Sequence, residues 1–265
     1  MRLWEIKKMQ RKMKAIELVR PIEEFAPLFQ QERWDNCGFS VGDPQKEVSS
    51  VLVALDCTED VMDEAIECGA DMIVTHHPLI FGGVKKISPQ NWLGRVIYKA
   101  IENGISVYSA HTNMDKAAGG VSAIMAEKLR LQDPLPLTPD NFGVVGNLPE
   151  DMAAMEFAQK VKSAFGVDAI RCSHPLEGKI TRVAVCGGSG KQFIPDALSQ
   201  GAQVYITGDI SYHDFYAEEG FMIMDIGHYF SEYGIVDLFA KILSENFPNF
   251  AVLKSKKNNN PIYYY

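Results

Sequence analysis

One segment of this chain occurs twice. Residues 51–77, VLVALDCTEDVMDEAIECGADMIVTHH, align without a gap on residues 183–209, VAVCGGSGKQFIPDALSQGAQVYITGD, at a constant offset of 132 residues. The segments that follow also correspond, because residues 104–115 and 220–232 each place a histidine four residues before a carboxylate. Internal similarity on this scale predicts two related α/β lobes with pseudo-twofold symmetry.

Strand patterns alternate with amphipathic helical patterns along the chain. SVLVAL (50–55) is typical of a strand, and residues 58–69 predict a helix with Thr58 at its N-cap and Gly69 at its end. DMIVT and ISVYSA are the next strands. This order predicts an α/β fold with mainly parallel sheets.

A proline-rich segment, LQDPLPLTPDNFG (131–143), interrupts the alternation and predicts the boundary between the lobes. We therefore expect an N-terminal lobe at 14–132, a C-terminal lobe at 133–265, and a metal site at the interface between them. The basic segment at residues 1–13 is expected to be a disordered or frayed extension.

Composition and charge exclude several classes of protein. The 265 residues carry a net charge of -8, which argues against a broad phosphate-binding surface and makes nucleic acid an improbable partner. The five cysteines are widely spaced and form no C-x-x-C pair, so they indicate neither a disulfide framework nor a zinc knuckle. No apolar run reaches the length of a membrane span, and the start lacks a signal-peptide pattern. We expect a cytoplasmic protein with no membrane partner.

Two adjacent histidines, His76 and His77, follow the strand DMIVT. Asp115 follows ISVYSA, and His228 and Glu232 follow FMIMDI. Since ligands collect beyond the carboxyl ends of parallel strands, these five side chains are expected to converge. Neighbouring residues on a strand point to opposite faces, so two histidines side by side serve two ions more easily than one.

The donor types predict the chemistry of such a site. Nitrogen and carboxylate ligands without thiolate suit two divalent ions of zinc, iron, manganese, cobalt or nickel. A pair of ions lowers the pKa of water and stabilises both the attacking and the leaving oxygen, which indicates hydrolysis. The alternatives remain open, because strand-end histidines also cap carbonyls, and Asp115 and Glu232 also suit helix starts.

Other polar residues have a functional and an ordinary interpretation. His111 either orients a metal ligand from behind or is an ordinary buried histidine. His213 is a candidate proton donor in the cleft or part of a helix-start pair. Lys191, in the glycine turn CGGSGKQF, is a candidate phosphate contact, although the turn fails the Walker pattern. In WDNCG, Trp34, Asp35 and Asn36 either line a substrate cleft or form a packed corner.

Five sequence blocks together resemble the signature of the Nif-three-like family, also called GTP cyclohydrolase I type 2 homologues or dinuclear metal centre proteins. In chain order they are WDNCGFSVGD (34–43), THHPLIF (75–81), HTNMDKAAGG (111–120), ITGDISYHD (206–214) and DIGHYFSE (225–232). The resemblance runs from about residue 14 to the C-terminus. It implies the compact form of the family, without the inserted middle domain of longer members.

The resemblance also implies a site and an assembly. By motif, the metal ligands are His76, His77, Asp115, His228 and Glu232, and the protein forms a toroidal homohexamer. The expected function is a metal-dependent hydrolase acting on a nucleotide or related small molecule, with His213 and Glu232 in catalytic roles. Two alternatives are a non-catalytic assembly that recruits a partner and a protein that delivers metal.

Overall fold

The computed structural model of this chain describes residues 12–263. Its strands are β1 (Met13–Lys14), β2 (Gly38–Val41), β3 (Glu47–Val48), β4 (Ser50–Ala54), β5 (Met72–Thr75), β6 (Ser106–Ser109), β7 (Gln132–Pro136), β8 (Val144–Ala153), β9 (Arg171–Cys172), β10 (Lys179–Ser189), β11 (Val204–Gly208), β12 (Met222–Asp225) and β13 (Ala251–Lys254).

The helices of the described residues alternate with these strands. They are α1 (Ala15–Phe25), α2 (Glu59–Cys68), α3 (Trp92–Glu102), α4 (Thr112–Asp115), α5 (Val121–Leu129), α6 (Ala154–Phe165), α7 (Ile194–Ser199), α8 (His228–Glu232) and α9 (Ile235–Asn246), with 3-10 turns at Leu28–Gln30, Lys191–Phe193 and Tyr212–Phe215. Within residues 12–263, no helix combines the length and apolar character needed to cross a membrane.

The chain divides into two compact units. The first contains the residues up to Met114 and those from Ile235 onward, and the second contains Asp115–Gly234. This division differs from the predicted lobes at 14–132 and 133–265. The chain returns to the first unit because β13 pairs in parallel with β4 and α9 packs on α1. The proline-rich segment is not a linker, because β7 pairs with β8 at the edge of the second sheet, where proline is tolerated.

The first unit is built on a five-stranded sheet with the order β13-β4-β5-β6-β2. The first four strands are parallel, and β2 is antiparallel to β6. Every residue of β4, β5 and β6 is buried, as the continuous apolar runs of a strand covered on both faces predict. The predicted helix after β4 is confirmed, since the Thr58 side chain accepts from the Val61 amide and Gly69 ends α2 at φ +69°.

The second unit is built on a six-stranded sheet with the order β7-β8-β10-β11-β12-β9. Strands β10, β11 and β12 are parallel. Val183 and Val185 face one apolar cluster with α5 and α6, whereas Ala184 and Cys186 face another, which is the alternation of a strand buried on both sides. The first unit thus has four parallel strands and the second has three, each set followed by an antiparallel edge strand, and the α/β prediction is confirmed.

The predicted extension at 1–13 is only partly within the described residues. Residues 1–11 lie outside them. Met13 is buried and pairs with Val48 in β3, so this end of the prediction is wrong. The reason is a two-residue pairing of β1 with β3, which is too short to be visible as a strand pattern.

Candidate functional site

Three neighbouring strands of the first unit deliver polar side chains to the same edge of their sheet. Asp56 follows β4, His76 and His77 follow β5, and His111 follows β6. Because the three strands are parallel and in register, their carboxyl ends lie side by side. The backbone amides of His76 and His77 both donate to the carbonyl of Leu55, at 3.2 and 3.0 Å. The chain therefore turns at the histidine pair instead of continuing as a strand.

The rings of His76, His77 and His111 form one cluster. Their centroids are 5.1 Å (76 to 77), 5.2 Å (76 to 111) and 5.4 Å (77 to 111) apart. Each ring offers a nitrogen such that the three atoms lie within 4.8 Å of one another. His76 is completely buried. Because the backbone turns after β5, the rings of two adjacent histidines lie in the same cluster instead of on opposite faces of a strand.

The tautomer of each ring is set by an oxygen at Nδ1. His76 Nδ1 lies 2.9 Å from the carbonyl of Ala110, which only accepts, so Nδ1 carries the proton. His77 Nδ1 donates to Asp56 at 2.7 Å, and His111 Nδ1 to Asp35 at 3.0 Å. A histidine whose Nδ1 is held by an oxygen ordinarily binds metal through its other ring nitrogen, so Nε2 is the donor atom that these rings would use.

Asp35 is a positioning residue for His111. Its side chain is fully buried and accepts from His111 Nδ1, from the Thr112 amide at 3.0 Å and from the Thr112 hydroxyl. Burial is the largest influence on the pKa of Asp35 and raises it. The hydrogen bonds from His111 and Thr112 together outweigh burial and hold the pKa well below its ordinary value. Asp35 therefore stays ionised behind the ring.

The polar residues of the segment WDNCG are held by hydrogen bonds within the chain. The Asp35 side chain faces inward, because His111 and Thr112 donate to its oxygens, so of its two interpretations the packed corner fits and the substrate contact does not. The side-chain amide of Asn36 donates to the Ile80 carbonyl at 2.7 Å, which connects the segment to the turn after His77. Trp34 is 61% exposed and lies edge-on to His111 at 6.0 Å, so it remains a candidate for contact with a bound molecule.

The orientation of the His77 ring depends on Asn258, which lies 181 positions further along the chain. Asp56, which holds His77 Nδ1, lies in a turn whose Leu55 and Asp56 amides both donate to the side-chain oxygen of Asn258. The Asp56 amide is 3.0 Å from that oxygen, and Asn258 is buried. Sequence reasoning missed Asn258, because NNNP has the composition of an ordinary polar loop.

Asn258→Ala is expected to weaken both the fold and the histidine cluster. It removes the acceptor of two backbone amides, at a cost of about 1–3 kcal/mol for each amide left unsatisfied. The released turn then positions Asp56 poorly, and loss of an outer partner of a ligand costs about 10–100-fold in metal affinity. Denaturant unfolding and metal titration measure the two effects. Asn258→Asp keeps an acceptor oxygen and should restore most of both; a full loss in Asn258→Asp would contradict this role.

The second unit contains a cluster with two acidic residues. Asp115 is the last residue of α4, and Glu232 is the last residue of α8, which follows β12. A carboxylate oxygen of Asp115 lies within 4.8 Å of one from Glu232. His228 Nε2 is 3.0 Å from Glu232, and its Nδ1 is 2.7 Å from Asp209. The cluster therefore contains two carboxylates and an imidazole, with Asp209 behind the ring.

His228 is strongly held in its charged form. Burial is the largest influence on its pKa and lowers it, but hydrogen bonds and charges from Asp209 and Glu232 outweigh burial and raise the pKa to about 11. His228 Nε2 thus carries a proton and donates it in a hydrogen bond to Glu232. For Nε2 to bind a metal, this proton must leave.

Two glycines make room for the acidic cluster. Gly188 has φ +62°, and a Cβ there would overlap Glu232 Oε1 and lie 3.3 Å from His228 Cε1. At Gly208 a Cβ would lie 2.8 Å from the His228 amide nitrogen. The glycine turn CGGSGKQF therefore packs directly against Glu232 and His228, which explains its glycine at 188. A 3-10 turn and the short helix α7 follow it.

Gly188→Ala is expected to disturb the acidic cluster beyond the cost of its backbone conformation. The left-handed conformation alone costs an alanine about 1–2 kcal/mol. Gly166→Ala is a matched control, because Gly166 has φ +67° and nothing within 4 Å of a Cβ. We expect Gly188→Ala to lose more stability than Gly166→Ala and to lose metal affinity as well. Equal unfolding midpoints and equal metal affinities for the two variants would show that the overlap is unimportant.

The remaining predicted residues lie outside these clusters. The His213 ring contacts Tyr212 at 5.2 Å and stacks on Tyr216 at 6.2 Å, and His213 is exposed. Lys191 begins a 3-10 turn, and its Nζ is 3.6 Å from Asp214. Neither side chain is brought to the His228 and Glu232 cluster by the contacts of the described residues. Their predicted roles as proton donor and phosphate contact stay predictions.

The thiols near both clusters are kept neutral. Burial is the largest influence on the pKa values of the Cys37 and Cys186 thiols, and it raises each pKa to about 12. Cys37 Sγ lies 3.2 Å from Asp35, and the charge of Asp115 adds to the shift at Cys186. A thiol is a metal ligand only as the thiolate, so nitrogen and carboxylate oxygen are the donors that the structure provides. That donor set fits a divalent transition metal.

Comparison with known proteins gives consistent matches along the chain. The family model Duf34/NIF3 (NGG1p interacting factor 3) matches residues 13–261. A GTP cyclohydrolase 1 type 2 homolog from Clostridium perfringens is 40% identical over 232 residues, covering 84% of this chain and 88% of that protein.

Solved structures give the same result. A Bacillus cereus protein related to NIF3 superposes with a TM-score of 0.90 at 26% identity, covering 97% of this chain and 100% of that one. The Staphylococcus aureus hypothetical protein SA1388 superposes with a TM-score of 0.87 at 30% identity, covering 96% and 99%. Because the family model spans nearly all of the sequence, the chain belongs to the Duf34/NIF3 (NGG1p interacting factor 3) family.

Proposed function

We propose that this protein is a dinuclear metal-dependent hydrolase that acts on a nucleotide or a related phosphorylated small molecule. The observation that carries the proposal is the cluster of His76, His77 and His111, in which every Nδ1 is bonded to an oxygen and one nitrogen of each ring lies within 4.8 Å of the other two. Three imidazoles prepared in this way are the protein ligands of a catalytic metal site.

The second donor set has the complementary charge. Asp115 and Glu232 supply the anionic oxygens that neutral imidazoles lack, and His228 supplies a further nitrogen. Two divalent ions carry four positive charges, so a pair of ions needs the carboxylates as well as the imidazoles. We propose that the members of the two donor sets are the ligands of two divalent ions. The predicted ligands His76, His77, Asp115, His228 and Glu232 are thereby kept, and His111 is added as a sixth.

The residues of the chain have distinct tasks in this mechanism. Bound divalent ions supply Lewis acidity and lower the pKa of water held at the site. Asp56 and Asp35 accept from Nδ1 of His77 and His111 and so fix the orientation of the two rings, which would hold a metal through Nε2. Glu232, which is 3% exposed, accepts a proton at its carboxylate in a site with little water. Asp209 holds the Nδ1 proton of His228.

Activity profiling tests this proposal. The purified protein is stripped with a chelator, reloaded in turn with manganese, iron, zinc, cobalt or nickel, and assayed against a panel of nucleotides and phosphoesters. We expect turnover that appears with at least one metal and disappears with chelator. The names of relatives refer to GTP cyclohydrolase, so GTP belongs in the panel. Absence of turnover across the panel at full metal loading would contradict the hydrolase proposal.

We also propose the homohexamer that the family resemblance implies. Large apolar side chains on the surface support an assembly, among them Phe29, Ile101 and Met155, which are 85%, 64% and 64% exposed. Light scattering should then give about six times the 29.5 kDa chain mass. A monomer mass at micromolar concentration would reject the assembly.

A further inference from the structure

A large cavity opens beside His77 and lies wholly within the first unit. Its volume is about 750 Å³, and its lining runs through residues 56–58, 77–86 and 91–93. This volume is that of a site for a small molecule. The lining includes His77 and Asp56 together with Phe81 and Trp92. The cavity therefore adjoins the histidine cluster without using His76 or His111.

The segment that encloses the cavity is anchored at its end. Gly94 lies directly against Ser88, because a Cβ at Gly94 would overlap the Ser88 carbonyl. The Asn91 side chain accepts from the Gly94 amide at 2.8 Å, which fixes the first turn of α3. By contrast, Gly82 and Gly83 have nothing within 4 Å of a Cβ and no positive φ. Neither packing nor backbone conformation requires glycine there, and both residues line the cavity.

The chemistry of the lining has two parts. Apolar side chains form most of the wall, and two of its aromatic rings face solvent, since Phe81 is 51% and Trp92 is 55% exposed. Two lysines, Lys85 and Lys86, lie between them in the chain. Across residues 12–263, neither lysine forms an ion pair, although the whole chain has a net charge of -8. The first turn of α3 adds a partial positive charge at the same wall.

We propose that this cavity binds a small anion that carries a flat aromatic ring, with the ring against Phe81 and Trp92 and the anion at Lys85 and Lys86. A molecule held there extends toward His77, so the cavity is the recognition site for the non-reacting part of the substrate. The role as a recognition site rests on the proposed hydrolase function, whereas binding of the anion to the cavity does not. The carboxylate of Asp56, which lines the cavity beside His77, repels the same anion and favours the lysines for it.

Binding of a fluorescent probe to chelator-treated protein tests the proposal without any activity. The probe is 8-anilinonaphthalene-1-sulfonate, and the uncharged comparison is N-phenyl-1-naphthylamine, which has similar rings without the sulfonate. Wild type should bind the sulfonate more tightly. Trp92→Ala should weaken both probes about tenfold, because the ring surface is lost. Lys85→Ala/Lys86→Ala should weaken only the sulfonate, about fivefold.

Lys256→Ala/Lys257→Ala is the matched control. Lys256 and Lys257 are also adjacent, exposed and in the first unit, but they do not line the cavity. Replacing both changes the net charge by the same amount as Lys85→Ala/Lys86→Ala. Equal sulfonate affinity in the two double variants would overturn the proposal, as would unchanged binding in Trp92→Ala. If the hydrolase assay fails but these probe differences are found, the binding site stands. If turnover occurs and KM is unchanged in Lys85→Ala/Lys86→Ala, the cavity is not the substrate site.

Discussion

Replacing His76 by alanine should lower the affinity for divalent metal by more than about 100-fold and abolish hydrolysis. Loss of an outer partner of a ligand already costs about 10–100-fold, so loss of the donor atom itself exceeds the upper end of that range. His76 is completely buried, and its Nδ1 donates to the Ala110 carbonyl. The variant should therefore also lose about 1–3 kcal/mol of stability from the unsatisfied carbonyl. Metal titration and denaturant unfolding of the metal-free protein separate the two effects.

Two further variants make this prediction decisive. His174→Ala removes an exposed histidine whose Nδ1 lies 3.0 Å from the neighbouring Pro175 carbonyl and which belongs to neither cluster, so it should leave metal affinity unchanged. His77→Ala removes a ligand that is less buried, with 13% of its side chain exposed, so it should lose metal with a smaller loss of stability. If folded His76→Ala and His77→Ala both bind metal as wild type does, the histidine cluster is not a metal site.

Glu232→Gln should reduce the rate of hydrolysis by about 10²–10⁴-fold while the protein stays folded. In the wild type, His228 Nε2 is 3.0 Å from Glu232. Glutamine has nearly the same shape as glutamate and still accepts a hydrogen bond from this nitrogen. It lacks the negative charge, so it neither balances a divalent ion nor takes a proton. The measurement is kcat at saturating metal, together with the metal content of the variant.

Glu150→Gln provides the comparison for this change. Glu150 is exposed in β8, and its neutralisation changes the net charge by the same amount as that of Glu232. We expect Glu150→Gln to keep wild-type kcat and metal content. A Glu232→Gln protein that hydrolyses as fast as Glu150→Gln would remove Glu232 from the mechanism.

The repeat made the fold and part of the site predictable. Because residues 51–77 and 183–209 align without a gap, they predicted equivalent strand, helix and strand units, and both have parallel strands in the structure. The placement of His76, His77, Asp115, His228 and Glu232 after strands follows from the same pattern. Thr58 and Gly69 bounded α2 as predicted, since capping is a local property of the sequence.

Contacts between distant segments were the part that local patterns could not reveal. The pairing of β13 with β4 moved the unit boundary, and Asn258 reaches the turn at Leu55 across about 200 residues of sequence. Asp35 had two interpretations, a substrate cleft or a packed corner, and its partner His111, which decides for the packed corner, lies 76 residues further along. The ring of His111 had two equal interpretations, and only its distances to His76 and His77 place it in the cluster.

Counting metal ions on the protein tests the central claim most directly. The metal-free chain is dialysed against excess manganese or zinc, and bound metal is measured by elemental analysis with His76→Ala, Glu232→Gln and His174→Ala in parallel. We predict two ions per chain for wild type and His174→Ala, and fewer for each of the other two variants. A wild-type protein that retains less than one ion per chain, or variants that retain as much as wild type, would contradict the account.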